Sequence, residues 1–92
     1  MGYTVSYHPE VVADDIPALP KKIKERIKAA IEEKLMTRPE IFGKPLRRSL
    51  KGYRKLRVGD YRVIFRLEEK AVRILVIGHR SIVYGRHPDR LE

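Results

Sequence analysis

YRKLRVGDYRVIFRLEEKAVRILVIGHRSIVY, residues 53–84, decides the fold. It reads as three consecutive antiparallel strands, at residues 53–58, 61–67 and 71–78. A two-residue Gly59-Asp60 turn joins the first pair, and a loop of two residues fixes the register of its strands. Val58 then faces Tyr61, Arg57 faces Arg62, Leu56 faces Val63, Lys55 faces Ile64, Arg54 faces Phe65 and Tyr53 faces Arg66. Alternation by twos sorts these side chains onto two faces. Leu56, Val58, Tyr61, Val63, Phe65 and Leu67 make a core face. Tyr53, Lys55, Arg57, Arg62, Ile64 and Arg66 make the other.

Taking Glu69-Lys70 as the second loop sets Leu67 opposite Val72 and Arg66 opposite Arg73. A slip of one residue would bury Arg73 beside Phe65. Carried to the strand end, this phase puts His79 on the basic face. That face sets Arg57 against Arg62, and like charges opposite one another repel. Solvated outer faces mix signs, whereas this one contains no acid.

Composition points the same way. Ninety-two residues suit one domain with a modest core. Between residues 43 and 66 there are nine Lys or Arg and one acid, Asp60, so most of the net charge of +9 arises from about a quarter of the chain. A patch of that kind suits a polyanion, most often nucleic acid. A membrane surface would take the charge on an amphipathic helix, whereas here it lies on strands and a loop. No cysteine is present, which excludes disulfides and thiolate metal sites. No membrane span or signal peptide is expected, and the cytoplasm is the default compartment. Leu91-Glu92 fits a tag remnant.

Residues 3–7 (YTVSY) read as an opening strand. Pro9 begins a short helix that Pro17 ends, with Val12, Ile16 and Leu19 as its apolar side. A longer helix runs from Pro20 to about Met36. Its stripe of Ile23, Ile27, Ala30, Ile31 and Leu35 should pack on the sheet. Residues 39–51 read as a loop whose Lys44, Arg47, Arg48 and Lys51 extend the basic patch. The order is β-α-α-β-β-β, an α+β fold with two helices on one face of a mainly antiparallel sheet.

The candidate chemistry follows from what the basic face holds. His8, His79 and His87 lack metal-ligand spacing, and no phosphate loop or dinucleotide fingerprint occurs. Ser81 and His79 have no orienting acid for nucleophilic catalysis. Lys, Arg and Tyr without a metal suit RNA cleavage by attack of the ribose 2′-OH on the adjacent phosphorus. Guanidinium groups bind the charged transition state, and a Lys or Tyr beside other cations can take the proton. A base could stack on Tyr53 or Tyr84. The same face without catalysis would simply hold a phosphate backbone.

Leu50-Lys51-Gly52-Tyr53, the run Lys55-Leu56-Arg57-Val58-Gly59-Asp60-Tyr61-Arg62-Val63-Ile64-Phe65, and Val76-Ile77-Gly78-His79-Arg80 with Val83-Tyr84 resemble the RelE/ParE toxin superfamily, on its RelE branch. The resemblance spans nearly the whole chain and implies a RelE-like, microbial-RNase-like fold. It also implies a toxin of a type II toxin–antitoxin system that cuts mRNA in the ribosomal A site without a cofactor and halts translation. A cognate antitoxin would be its partner, and operator DNA would be met only through that complex.

By this resemblance the catalytic residues are Lys55 (proton abstraction or phosphate stabilisation), Arg62 (charge on the scissile phosphate), Arg80 (leaving-group protonation) and Tyr84 (orienting the nucleotide). Lys51, Tyr53, Arg54, Arg57, Arg66, Arg73 and His79 are expected to hold RNA. A further lysine, expected one alternation before Lys55, is Tyr53 here. Two alternatives stand beside this reading: a ParE-like toxin acting on DNA gyrase, and a non-catalytic nucleic-acid-binding module. Lys55, Arg62, Arg80 and Tyr84 together favour the RelE-like reading.

Overall fold

A computed structural model describes residues 2–45 and 52–83. Five strands form one sheet: β1 (Thr4–Tyr7), β2 (Lys44–Pro45), β3 (Tyr53–Val58), β4 (Tyr61–Glu68) and β5 (Ala71–His79). Their spatial order is β1-β5-β4-β3-β2. The opening strand lies parallel to β5, with Thr4 beside Ala71 and Tyr7 beside Ile74. The other neighbours are antiparallel.

The hairpin register matches the expected one at all six positions, from Tyr53 opposite Arg66 to Val58 opposite Tyr61. Gly59 takes φ +61° in the turn, a left-handed backbone that costs glycine little. The next hairpin also starts as expected, with Leu67 opposite Val72 and Arg66 opposite Arg73. Further along, a bulge breaks the phase. Phe65 pairs with Ile74 and Ile64 with Val76, leaving Leu75 as the extra residue. Every β5 residue after Leu75 therefore sits on the opposite face from the one strict alternation assigns.

The helical layer covers one face. A π-type turn, Val11–Asp15, follows β1. Helix α1 (Lys21–Ala30) runs on into a second such turn, Ile31–Leu35. Wide turns close through bonds five residues apart, here Ile16 N–H to Val11 O at 2.9 Å and Met36 N–H to Ile31 O at 3.0 Å. The α1 stripe behaves as expected, with Ile27, Ile31 and Leu35 buried and Ile23 and Ala30 half-buried. In the first turn the core position is Val11, while Val12 is exposed. Burial there recurs at Val11, Asp15 and Leu19.

Residues 39–45, expected as the start of a loop, hold more order than that. Pro39 opens a helical turn, α2 (Pro39–Phe42), where its missing N–H is no loss. Lys44 and Pro45 then pair with Lys55 and Arg54. The main core joins the helical residues to Leu56, Val58, Val63, Phe65, Val72, Ile74 and Ile77.

Candidate functional site

The outer face of the sheet is not one cationic plane. Its middle row is apolar: Tyr53, Ile64, Leu75 and Val76 are buried together with Val83, which arrives from the segment after β5. Bulging at Leu75 sets two consecutive apolar residues, Leu75 and Val76, on this side. The cations are thereby divided. Arg66 and Arg73 oppose each other at one end, and Lys55, Arg57 and Arg62 lie at the other.

At the Arg66 end, Tyr53 is only 7% exposed, so its ring offers no open platform for a base. The guanidinium of Arg66 lies 5.9 Å from the ring centroid and 3.7 Å from the Glu68 carboxylate. Arg73 is half-buried. Arg54 points to the helical side, as its place opposite Phe65 requires. There its Nη1 donates to the Gly43 carbonyl at 2.9 Å, which gives it a structural partner away from the outer face.

The Gly59-Asp60 turn organises the other end. Arg62 donates through Nη1 to the carbonyls of Gly59 and Tyr61, each at 2.9 Å. This fixes the head of a long, half-buried side chain and leaves its other N–H groups for a ligand. Arg80 is tied to the same turn, its backbone N–H reaching the Asp60 carbonyl at 2.8 Å. Its Nε lies 3.9 Å from the Asp60 carboxylate in an exposed pair of small energetic worth.

His79 departs from the expected face. It pairs with Tyr61, and the two rings meet edge-on with centroids 5.4 Å apart. The bulge is the cause, because it reverses the phase of the strand. His79 Nδ1 accepts the Ser81 N–H at 3.1 Å and lies 2.8 Å from Ser81 Oγ. That contact is local to one tight turn. Lys51 and Tyr84 lie outside the described residues.

Two hollows meet at Lys55 and Arg62. These residues are diagonal neighbours, since Lys55 opposes Ile64 and Arg57 opposes Arg62. One hollow, of about 450 Å³, is lined by Lys55, Arg62, His79, Arg80 and Ser81. The other, of about 310 Å³, opens at the β3 edge among Lys34, Phe42, Lys44, Lys55, Arg57 and Arg62. Lys34 and Phe42 belong to the helical layer, and nothing in their local sequence announces this position. No carboxylate lines either hollow among the described residues. A phosphate held between Lys55 and Arg62 would thus have cationic room on both sides.

Comparison with known proteins places the chain. The family described as ParE toxin of type II toxin-antitoxin system, parDE, matches residues 5–84. Toxin RelE of Mycobacterium tuberculosis is 35% identical over 89 residues, covering 91% of this chain and 92% of that one. Toxin RelG of the same organism is 34% identical, covering 94% and 100%. The crystal structure of the toxin-antitoxin complex RelBE2 from M. tuberculosis contains a chain that aligns with a TM-score of 0.78 at 33% identity, covering 87% of this chain and 100% of that one.

Proposed function

The chain belongs to the ParE toxin family of type II toxin–antitoxin systems, and from that premise we propose that it is a ribosome-dependent endoribonuclease that cuts mRNA in the A site. The observation that carries the reading is the wall shared by the two hollows, where Lys55 adjoins an Arg62 whose guanidinium is already fixed. The scissile phosphate sits against that wall. Lys55 takes the 2′-OH proton or holds the phosphate, and O2′ attacks phosphorus. The P–O5′ bond breaks, giving a 2′,3′-cyclic phosphate and a 5′-hydroxyl. Arg62 meets the charge gathering on the non-bridging oxygens. Arg80 steadies the charge on the leaving 5′ oxygen and so assists its protonation by solvent, while Tyr84 orients the nucleotide.

The lysines and arginines take the place a divalent ion would hold, so cleavage proceeds without a metal. The active compartment is the cytoplasm, and the cognate partner is an antitoxin, as in the RelBE2 complex. Arg62→Ala tests the assignment. In single-turnover cleavage on saturated, programmed ribosomes the rate should fall roughly 10²–10³-fold, the scale of losing one preorganised donor. A saturated rate within a few-fold of the unsubstituted protein would leave Arg62 a binding residue only. Cleavage should also persist on preassembled complexes after chelation of free divalent ions. The ParE name of the matching family keeps a gyrase-directed toxin as the second reading. Inhibition of DNA supercoiling with mRNA left intact would establish it instead.

A further inference from the structure

We propose that the hollow at the β3 edge is a subsite for a nucleotide flanking the cut bond in single-stranded RNA. Its base lies against Phe42 and its phosphate among Lys34, Lys44 and Arg57. The proposal rests on the RNA-cutting reading above and gives it a direction along the strand.

Charge placement is the first argument. Lys44 opposes Lys55 across β2 and β3, and Arg57 opposes Arg62 across β3 and β4. A like-charged cross-strand pair such as Arg57 and Arg62 works against the sheet, and a bound anion relieves it.

Phe42 is the second argument. It is 42% exposed at the end of α2, with Lys34 Nζ 5.6 Å from its ring centroid. An exposed ring beside cations matches the two halves of a nucleotide, a stackable base and an anionic phosphate. A duplex keeps its bases stacked on one another, so the ring favours an unpaired strand. An acidic peptide would use the cations and leave the ring without a role.

The backbone that presents these groups is held. Gly43, between Phe42 and Lys44, donates its N–H to the Pro39 carbonyl at 3.0 Å and accepts from Arg54 Nη1 at 2.9 Å. Its Cα rests against the Phe65 ring, with no room for a side chain. Phe42 and Lys44 thus flank a pinned point, and a preorganised site loses less entropy on binding. A volume of about 310 Å³ is at the small end of ligand sites, roughly 300–1,000 Å³. The floor is shared with the first hollow through Lys55 and Arg62, so one strand can run from one to the other.

The test uses the full chain and RNA oligonucleotides made uncleavable by a 2′-deoxy sugar at the cut position. One probe spans only the cut step, and others carry an extra nucleotide on the 5′ or the 3′ side. Extension on one side should tighten binding, and Phe42→Leu should remove that gain by roughly 5- to 100-fold, the scale of one lost stack, leaving the short probe unaffected. Lys44→Ala, an exposed change that keeps the fold, should lower the salt slope by about 0.7 for the extended probe alone. Equal weakening of short and extended probes, or no gain from extension on either side, overturns the subsite. So does an acidic peptide that binds through Phe42 and Lys44 when the extended RNA does not. If extended RNA binds through Phe42 but ribosome-bound mRNA stays uncut, the hollow stands as an RNA-binding site alone and the enzymatic reading falls.

Discussion

The buried carboxylate of Asp15 accepts the backbone N–H of Ile77 at 2.8 Å, beyond the point where β1 stops covering β5. Strand pairing on that edge ends at Tyr7 and Ile74, followed by one bond from His8 N–H to the Ile74 carbonyl at 2.8 Å. Asp15 then serves where a strand would have. Asp15→Ala should cost about 1–3 kcal/mol by orphaning a buried donor, and Asp15→Asn, which keeps an acceptor oxygen, should cost less. Urea denaturation of the three proteins gives the comparison. Faster amide exchange at Ile77 in the alanine protein alone would tie the loss to this bond. An alanine variant as stable as the parent would refute the role.

Gly43 has no space for a methyl group. A Cβ there would fall on the Phe65 ring, and Phe65 is fully buried. Gly43→Ala should therefore destabilise by about 1–3 kcal/mol through overpacking. Adding Phe65→Leu should cost less in that background than in the parent, because the smaller side chain makes room. Additive losses in a thermal-denaturation cycle would show that the two positions do not clash.

Tyr7 adds an alkaline dependence to stability. Burial first, and the nearby Glu32 carboxylate second, hold its phenol above the ordinary tyrosine value. The folded-state pKa is higher than the unfolded one, so this contribution to stability is complete below about pH 10 and is lost as pH rises through the folded value. Absorbance titration of the phenolates should show a late-titrating tyrosine that is missing in Tyr7→Phe. Glu32→Gln should move it part of the way back, since burial is the larger cause. A Tyr7→Phe protein with an unchanged titration curve would contradict the assignment.

Arg57 faces Arg62 and is itself exposed. Arg57→Gln should raise stability by a few tenths of a kcal/mol as the repulsion is relieved. RNA affinity should fall, with the salt slope reduced by about 0.7. The saturated cleavage rate should hardly change. A large fall in that rate would make Arg57 part of the reaction itself.

The hairpin around Gly59-Asp60 could be written down residue by residue because a two-residue loop leaves no freedom of register. The same reasoning failed for His79, and the reason is visible in the strand. Ile74, Leu75, Val76 and Ile77 are all apolar, so alternation by twos carries no mark of phase where the bulge enters. Tyr53 was legible as an outer-face residue, but its burial depends on Val83 folding back from a distant segment. Lys34 and Phe42 were hidden for a similar reason, since only tertiary packing brings them beside Arg57. Nothing in the local sequence marks Asp15, an acid only 1% exposed in a short helical turn.

The strand that joins β1 to the rest of the sheet is the last of the five in the chain. β5 holds β1 on one edge, β4 on the other, and Asp15 through Ile77. During synthesis the first strand and the helical layer leave the ribosome with only part of their wall in existence. Joining Thr4 to Ala71 closes a loop across most of the chain, the kind of long-range contact that slows folding. On arrested nascent chains, protection from protease should appear abruptly once residues 71–79 are free to pair, and not in steps before. A chain built this way acquires its cationic surface only once β5 has been made.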